Sequence, residues 1–409
     1  MKILFLTIGN LADLSAREIY PDLLRALLRE GHEVYAVCCR ERRYGKATEL
    51  TQEAGIHILR VRTGNVTQTN LLEKGVSTLM LGGLFRRAIS NYFKQVSFDL
   101  ILYSTPPITI APLVARLRRK HNACTYLMLK DIFPQNAVDL GVIRPHGLLH
   151  SFFRKKETAL YACSDVIGCM SPANRRYLLA QNPELSDRRV GLCPNALELT
   201  PMPRCEKSEV REQLGLPQDK LLLLYGGNLG LPQGVGFMLS CIERLKSRND
   251  VLFVIAGAGT EYARVARFLK ERDCENAVLT GKLDTQSYNR LVLACDVGLI
   301  FLDHRFTIPN FPSRLLSYLQ AGIPVLAATD TATDLRDAIR DGGFGRWCES
   351  SDVTEFCKNV EALCNQRPRL PEIGENGRRY FEKHYTADLC CRAILNAVTE
   401  CKRGEEAVK

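Results

Sequence analysis

Short, nearly uninterrupted apolar runs recur along this chain at 3–8, 34–38, 56–61, 100–104, 125–129, 166–170 and 190–193. They return at 221–225, 251–256, 278–280, 297–301, 324–328 and 345–348. A strand with one wet face alternates apolar and polar residues; runs without that alternation suit strands buried on both faces of a parallel sheet. Parallel neighbours need crossover connections, usually helical. The stretches between the runs supply them: residues 18–30 set Leu23, Leu24, Leu27 and Leu28 on one side and close at Gly31. Two such βα series in 409 residues predict an α/β chain with two Rossmann-like, doubly wound domains, spanning 1–197 and 198–385. The join is expected where Pro194, Pro201 and Pro203 cluster. The tail reads as helix over 378–401, with Leu389, Ile394, Leu395 and Val398 apolar, and segment 386–409 is expected to pack back toward the first domain. Ligands of open parallel sheets sit beyond the carboxyl ends of the strands. If the two domains face each other, an interdomain cleft is the place to look for chemistry.

Charge divides the chain. Residues 1–195 hold 27 Lys and Arg against 16 Asp and Glu, or +11; residues 196–409 hold 28 against 29, or −1. With 46% hydrophobic and 24% charged residues, a disordered or collagen-like chain is excluded. Sixteen cysteines would suggest disulfides in a secreted protein, but the opening Met1-Lys2-Ile3-Leu4-Phe5-Leu6 is too short for a signal-peptide core. There is no Cys-x-x-Cys, and Cys38-Cys39 and Cys390-Cys391 are poor zinc spacings. Reduced, mostly buried thiols of a cytoplasmic protein are therefore expected. The longest uncharged run, 221–242, contains five glycines and Pro232, which fits strand, loop and helix better than a membrane span.

Four motifs stand out, three of them directly at strand ends. Tyr225-Gly226-Gly227-Asn228-Leu229-Gly230-Leu231-Pro232-Gln233-Gly234 precedes a helical pattern over 235–245, and is either a phosphate cradle or a tightly packed turn. In Asn310-Phe311-Pro312-Ser313-Arg314-Leu315-Leu316-Ser317, Ser313 is placed to cap a helix whose first turn holds Arg314. A cation there opposes the helix dipole, so it either holds an anion or is solvated. Ser104-Thr105-Pro106-Pro107 would shape a wall. Lys130-Asp131-Ile132-Phe133-Pro134-Gln135-Asn136 begins with charges that form either a salt bridge or an active-site pair. No Asp-x-Asp and no Gly-x-Ser-x-Gly occurs, so neither a Mg²⁺-diphosphate clamp nor a nucleophile elbow is signalled.

These motifs, with the opening strand, Pro194-Asn195 and Ala321-Gly322-Ile323-Pro324, resemble those of the retaining, nucleotide-sugar-dependent glycosyltransferases of family 4. That family has two facing Rossmann-like domains, the GT-B fold. The branch that builds O-antigens and capsules, including fucosaminyltransferase-like members, is the most similar. The resemblance implies that the second domain binds a nucleoside-diphosphate sugar, UDP-linked, and the first an acceptor. By matching position Gly227 and Asn228 would lie beside the donor phosphates, and Thr280, Gly281, Lys282 and Leu283 would meet the base. Asn310, Ser313, Arg314, Leu315 and Ser317 would line the rest of the donor site. Asp131, with Lys130, would be presented to the transferred sugar, and Ser104, Thr105, Pro106 and Asn136 would lie on the acceptor side. Many relatives carry two glutamates where this chain has Pro309 and Ser317, and an Arg and a Lys where it has Asn228 and Gln233.

No cofactor, metal or nucleic-acid partner is expected; the nucleotide-sugar is a substrate. The acceptor implied is a polyprenyl-diphosphate-linked saccharide. Segment 71–94 interleaves Leu72, Val76, Leu79, Met80, Leu84, Phe85, Ile89 and Phe93 with Lys74, Arg86, Arg87 and Lys94. This predicts a helix, broken or bent at Gly82-Gly83, that lies on the inner face of the cell membrane, or else packs on its own domain. Two other readings remain: a sugar-nucleotide epimerase of similar architecture, and a non-catalytic sugar-nucleotide-binding partner of another transferase.

Overall fold

The computed structural model describes residues 1–9, 11–67, 69–201 and 206–406; Pro203 and the last three residues of the expected tail segment lie outside them. The chain divides into two α/β units: Met1–Glu198 with the returning segment from Ala387, and Leu199–Thr386.

The first sheet contains β1 (Lys2–Leu6), β2 (Glu33–Glu41), β3 (Glu49–Glu53), β4 (Ile56–Thr63), β5 (Leu100–Ser104), β6 (Cys124–Leu129), β7 (Val166–Cys169) and β8 (Val190–Leu192). Their order is β3-β4-β2-β1-β5-β6-β7-β8, parallel except for β3 against β4. The second sheet contains β9 (Leu221–Asn228), β10 (Val251–Ala258), β11 (Ala277–Leu279), β12 (Val297–Phe301), β13 (Val325–Thr329) and β14 (Gly345–Glu349), ordered β11-β10-β9-β12-β13-β14 and parallel throughout. Every residue of β5, β6, β12 and β13 is buried, which is why their sequences lack alternation. Phe5, Phe253 and Phe301 lie in these cores, each contributing roughly 1.5–3 kcal/mol by burial. In both sheets the strand order reverses beside a central strand, β1 or β9, and such a switch point opens a crevice at the carboxyl ends.

Three elements differ from the sequence reading. Strand β3 carries the polar Glu49, Thr51, Gln52 and Glu53 and lies at the sheet edge, where an apolar run is not required. Its hairpin turns through Ala54 and Gly55, both at positive φ. The Leu71–Tyr92 helix runs unbroken through Gly82-Gly83: a helical glycine costs about 1 kcal/mol relative to alanine, and buried Leu81, Phe85, Ile89 and Phe93 pack this end against the first unit. The tail is two helices, Leu370–His384 and Ala387–Glu406, because the chain leaves the second unit at Thr386. The last helix inserts Ala387, Cys390, Ile394 and Val398 into the first unit's core.

Both crossing segments are fastened within the first unit. The Glu198 carboxylate meets Arg17, Arg25 and Arg29, and Arg29 also pairs with Asp388 at 2.8 Å. The Glu198 N–H donates to Asp22 Oδ2 at 2.6 Å, and burial pushes the Asp22 carboxyl up to about 6.

Candidate active site

The carboxyl end of β9 turns through Gly227 at φ +123°, a region that glycine adopts without strain. Directly beside it stands Arg314, the first residue of the Arg314–Gln320 helix; its Nη2 would lie 3.6 Å from a Cβ on Gly227. The guanidinium carbon is 4.3 Å from the centre of the Tyr225 ring, and Nη1 is buried without a hydrogen-bond partner. Tyr318 anchors the same corner: Gly226 N–H donates to its hydroxyl at 3.2 Å, and that hydroxyl donates to Leu224 O at 3.1 Å. A Cβ on Gly226 would collide with the Tyr288 ring, so this glycine makes room for a third tyrosine. Burial pushes the Tyr288 hydroxyl above its usual range, with Ser317 and Tyr318 pulling the other way.

Ser313 occupies the residue before the helix, but its side chain makes no capping hydrogen bond. The expected cap is therefore absent: the residue is in helical geometry (φ −63°, ψ −24°), where its hydroxyl does not cap the first free N–H. The helix has seven residues, so the charge here comes from the guanidinium more than from a long dipole. Leu315 is core; Ser317 Oγ donates back to Arg314 O at 2.9 Å. Asn310 Nδ2 reaches Ile308 O at 3.5 Å, and its carbonyl accepts from Thr333. Asn228 and Gln233 bond to each other, Nδ2 to Oε1, at 3.0 Å. Thr280, Gly281, Lys282 and Leu283 follow β11 at the same sheet end: Gly257 is the register partner of Gly227, and its N–H donates to Gly281 O at 3.1 Å. Lys282 is exposed.

In the first unit Thr105 organises the end of β6. Its Oγ1 accepts from Lys130 N–H at 3.0 Å and Asp131 N–H at 3.1 Å, and donates to Asp131 O at 3.1 Å. Asn136 Nδ2 donates to both Asp131 carboxylate oxygens, at 2.8 and 2.9 Å. Burial pushes the Asp131 carboxyl up to about 6, against the pull of Ile132 N–H and Asn136. Lys130 and Asp131 do not pair with each other: the Lys130 ammonium donates to Cys193 O at 3.0 Å. Successive residues leaving a strand point to opposite faces, so neither a salt bridge nor a joint pair forms. Ser104 Oγ is buried without a partner, and Pro106 is exposed.

The tyrosines around Arg314 escaped the sequence reading, although Tyr225 lies inside a quoted motif. Also missed was a cavity of about 250 Å³ lined by Leu231, Gly234, Phe237, Arg264, Asp303 and His304, among others; the side chains that form it are far apart in sequence. On the Leu71–Tyr92 helix the apolar residues separate into two sets. Phe85, Ile89 and Phe93 are core, and Leu84 is half-buried, so these are not membrane-facing as expected. Leu72 (85% exposed), Val76, Leu79 and Met80 are open. Leu148 (93% exposed), Leu149 and Phe152 are open on the Leu148–Ala162 helix, and both helices pack against the Ile108–Ile110 turn. Among the described residues no helix is long and apolar enough to cross a membrane.

Residues 206–380 match the family described as Glycosyl transferases group 1. The second unit carries a group 1 glycosyltransferase domain. The chain is 22% identical over 344 residues to WbjE of Pseudomonas aeruginosa, named as a glycosyltransferase, covering 80% of this chain and 82% of that protein. It is 26% identical over 335 residues to WcaI of Escherichia coli K12, named for a glycosyl transferase role in colanic acid biosynthesis, covering 76% and 77%. The Anabaena protein HepE, solved in complex with UDP-glucose, shares the fold with a TM-score of 0.70 at 14% identity, over 98% of this chain and 100% of that one. The domain match spans the Gly226–Gly234 loop, the 280–283 segment and Arg314, so all the candidate donor residues lie within it.

Proposed function

We propose that this protein is a glycosyltransferase of bacterial surface polysaccharide synthesis. It moves a sugar from a nucleoside-diphosphate sugar, UDP-linked and of the N-acetylated deoxyhexosamine type, to a polyprenyl-diphosphate-linked saccharide with retention. The observation that carries this reading is Arg314: a buried guanidinium nitrogen without a partner is costly until an anion reaches it. Beside it Gly227, at φ +123°, turns the backbone at the end of β9 next to the guanidinium. HepE with UDP-glucose supports the donor class, and WcaI supports the pathway.

As the bond between the anomeric carbon and the diphosphate oxygen breaks, the leaving group gathers charge that Arg314 stabilises. The acceptor hydroxyl attacks from the departing face, forms the new glycosidic bond and gives its proton to the leaving phosphate. Ionised Asp131, held by Asn136, accepts a hydrogen bond from a sugar hydroxyl and stabilises positive charge in the transition state. The exposed Leu72, Val76, Leu79 and Met80, with Lys74, together with Leu148, Leu149, Phe152 and Lys155, rest on the inner face of the cell membrane, where the lipid-linked acceptor lies.

The test is incubation of the full chain with UDP-sugars and a polyprenyl-diphosphate saccharide, with the new linkage assigned by NMR. A product with the donor's anomeric configuration is expected. An inverted linkage overturns retention, a new sugar-nucleotide formed without acceptor favours the epimerase, and donor binding without turnover favours a non-catalytic partner.

A further inference from the structure

Cys193 and Cys390 meet at an unusual place. Cys193 follows β8 just before the chain leaves the first unit at Glu198, and Cys390 follows its return at Ala387. Their sulfurs are 3.5 Å apart and both side chains are buried. Gly168 of β7 makes the space: a Cβ there would collide with Cys193 and the Tyr126 hydroxyl. The 197 positions between the two thiols include the whole second unit. The Lys130 ammonium, on the Cys193 carbonyl at 3.0 Å, lies beside the pair. The hydrogen bond between the two sulfurs and then the Lys130 charge hold the Cys193 thiol below the usual range, while the Cys390 thiol moves up. Most other described cysteines are raised by burial, as at Cys38, Cys241 and Cys295.

We propose that Cys193 and Cys390 are a redox-active pair that forms a reversible disulfide when a hydroperoxide reaches them, stapling the departing and returning segments of the first unit together. The Cys193 thiolate attacks the peroxide O–O bond, giving a sulfenic acid and, after protonation, water or an alcohol. The Cys390 sulfur then displaces the sulfenic oxygen as a second water. Two thiols are oxidised, one peroxide is reduced, and the thiol protons end in the released molecules.

The inference is independent of sugar transfer and is tested on the full chain. Titration with hydrogen peroxide under native conditions, followed by alkylation, digestion and mass spectrometry, should yield a Cys193–Cys390 linked peptide ahead of any other pair, reversed by dithiothreitol. The oxidised protein should melt roughly 5–10 °C higher, because the cross-link restricts the unfolded chain. Cys390→Ser should leave a sulfenic acid on Cys193 that dimedone traps, and Cys193→Ser should lose both signals. Absence of the linked peptide in folded protein, or no dimedone adduct in folded Cys390→Ser, overturns the pair as a redox site. A linked peptide without a rise in melting temperature overturns the staple.

Discussion

Arg314 and Asp131 are both charged residues on the connections that follow strands of parallel sheets, Asp131 two positions past β6 and Arg314 at the start of the helix after β12, yet their surroundings are opposite. Arg314 stacks on Tyr225 and leaves Nη1 unpartnered. Asp131 has both oxygens bonded by Asn136 and its backbone organised by Thr105. The first arrangement leaves a buried cationic nitrogen without an acceptor. The second is complete already, and burial still makes its charge costly. One position therefore carries an unmet hydrogen-bonding demand and the other a proton equilibrium.

The largest effect expected from breaking this comparison is at Asp131. An acid whose native pKa is raised is most stabilising when protonated: that contribution is full below the unfolded value of 3.8 and is lost as pH rises through about 6. At pH 7.5 the ionised carboxylate thus costs up to about 3 kcal/mol. Asp131→Asn should raise the melting temperature at pH 7.5, leave it nearly unchanged at pH 4, and cut turnover on the order of 10²–10³-fold. Wild-type turnover should climb toward neutrality with a midpoint near the same pKa. A variant that melts lower at pH 7.5, or keeps a tenth of wild-type turnover, contradicts the assignment.

At Arg314 the balance reverses, since removing the cation removes an unmet demand. Arg314→Ala should fold, yet lose about ten- to a hundredfold in kcat/KM for the donor, as expected for a charge-assisted contact worth roughly 1.5–3 kcal/mol. The thermal shift produced by UDP should shrink with it. Undiminished turnover at limiting donor would remove Arg314 from the diphosphate site.

The two sites were not equally legible. The apolar run at 297–301 located β12 at both ends, because burial on both faces leaves a local signature, whereas the run at 221–225 stopped short of the end of β9, whose last residues Gly227 and Asn228 are exposed. Gly227 and Arg314 stood out through residue type and spacing. Residue type alone does not tell that Asn228 and Gln233, five positions apart, satisfy each other, and nothing local tells that the Arg314 guanidinium stacks on Tyr225, 89 positions before it. Lys130 misled for the same reason: its neighbour in sequence is Asp131, but its partner is the Cys193 carbonyl, 63 positions away. The polar edge strand β3 carries little hydrophobic signal, and its clue was the Ala54-Gly55 turn.

Hydrophobic side chains on the Leu71–Tyr92 helix sharpen the contrast between core and surface. Leu72→Ser with Met80→Ser should lower co-sedimentation with anionic phospholipid vesicles by roughly three- to tenfold at low salt, with an unchanged melting temperature, because both residues are exposed. Phe85→Ser should instead destabilise the fold, as that ring is core. Wild-type protein that ignores such vesicles, or exposed-face variants that bind them equally well, would refute membrane docking.

The smallest expected effect is that of a chelator. The chain has no Asp-x-Asp, and the positions where relatives place an Arg and a Lys are taken by the mutually bonded Asn228 and Gln233. In the proposed reading, neutralising a diphosphate falls to Arg314, to exposed Lys282 and to backbone N–H groups at the glycine loop, none of which EDTA removes. Transfer should stay within about twofold of its value in excess EDTA, because the charge stabilisation comes from groups fixed in the fold. The Arg314→Ala variant sharpens the measurement: with its main cation gone, added Mg²⁺ should restore little. Loss of wild-type transfer in EDTA with rescue by Mg²⁺ or Mn²⁺ would mean that a metal neutralises the diphosphate, and Arg314 would then need a different anion.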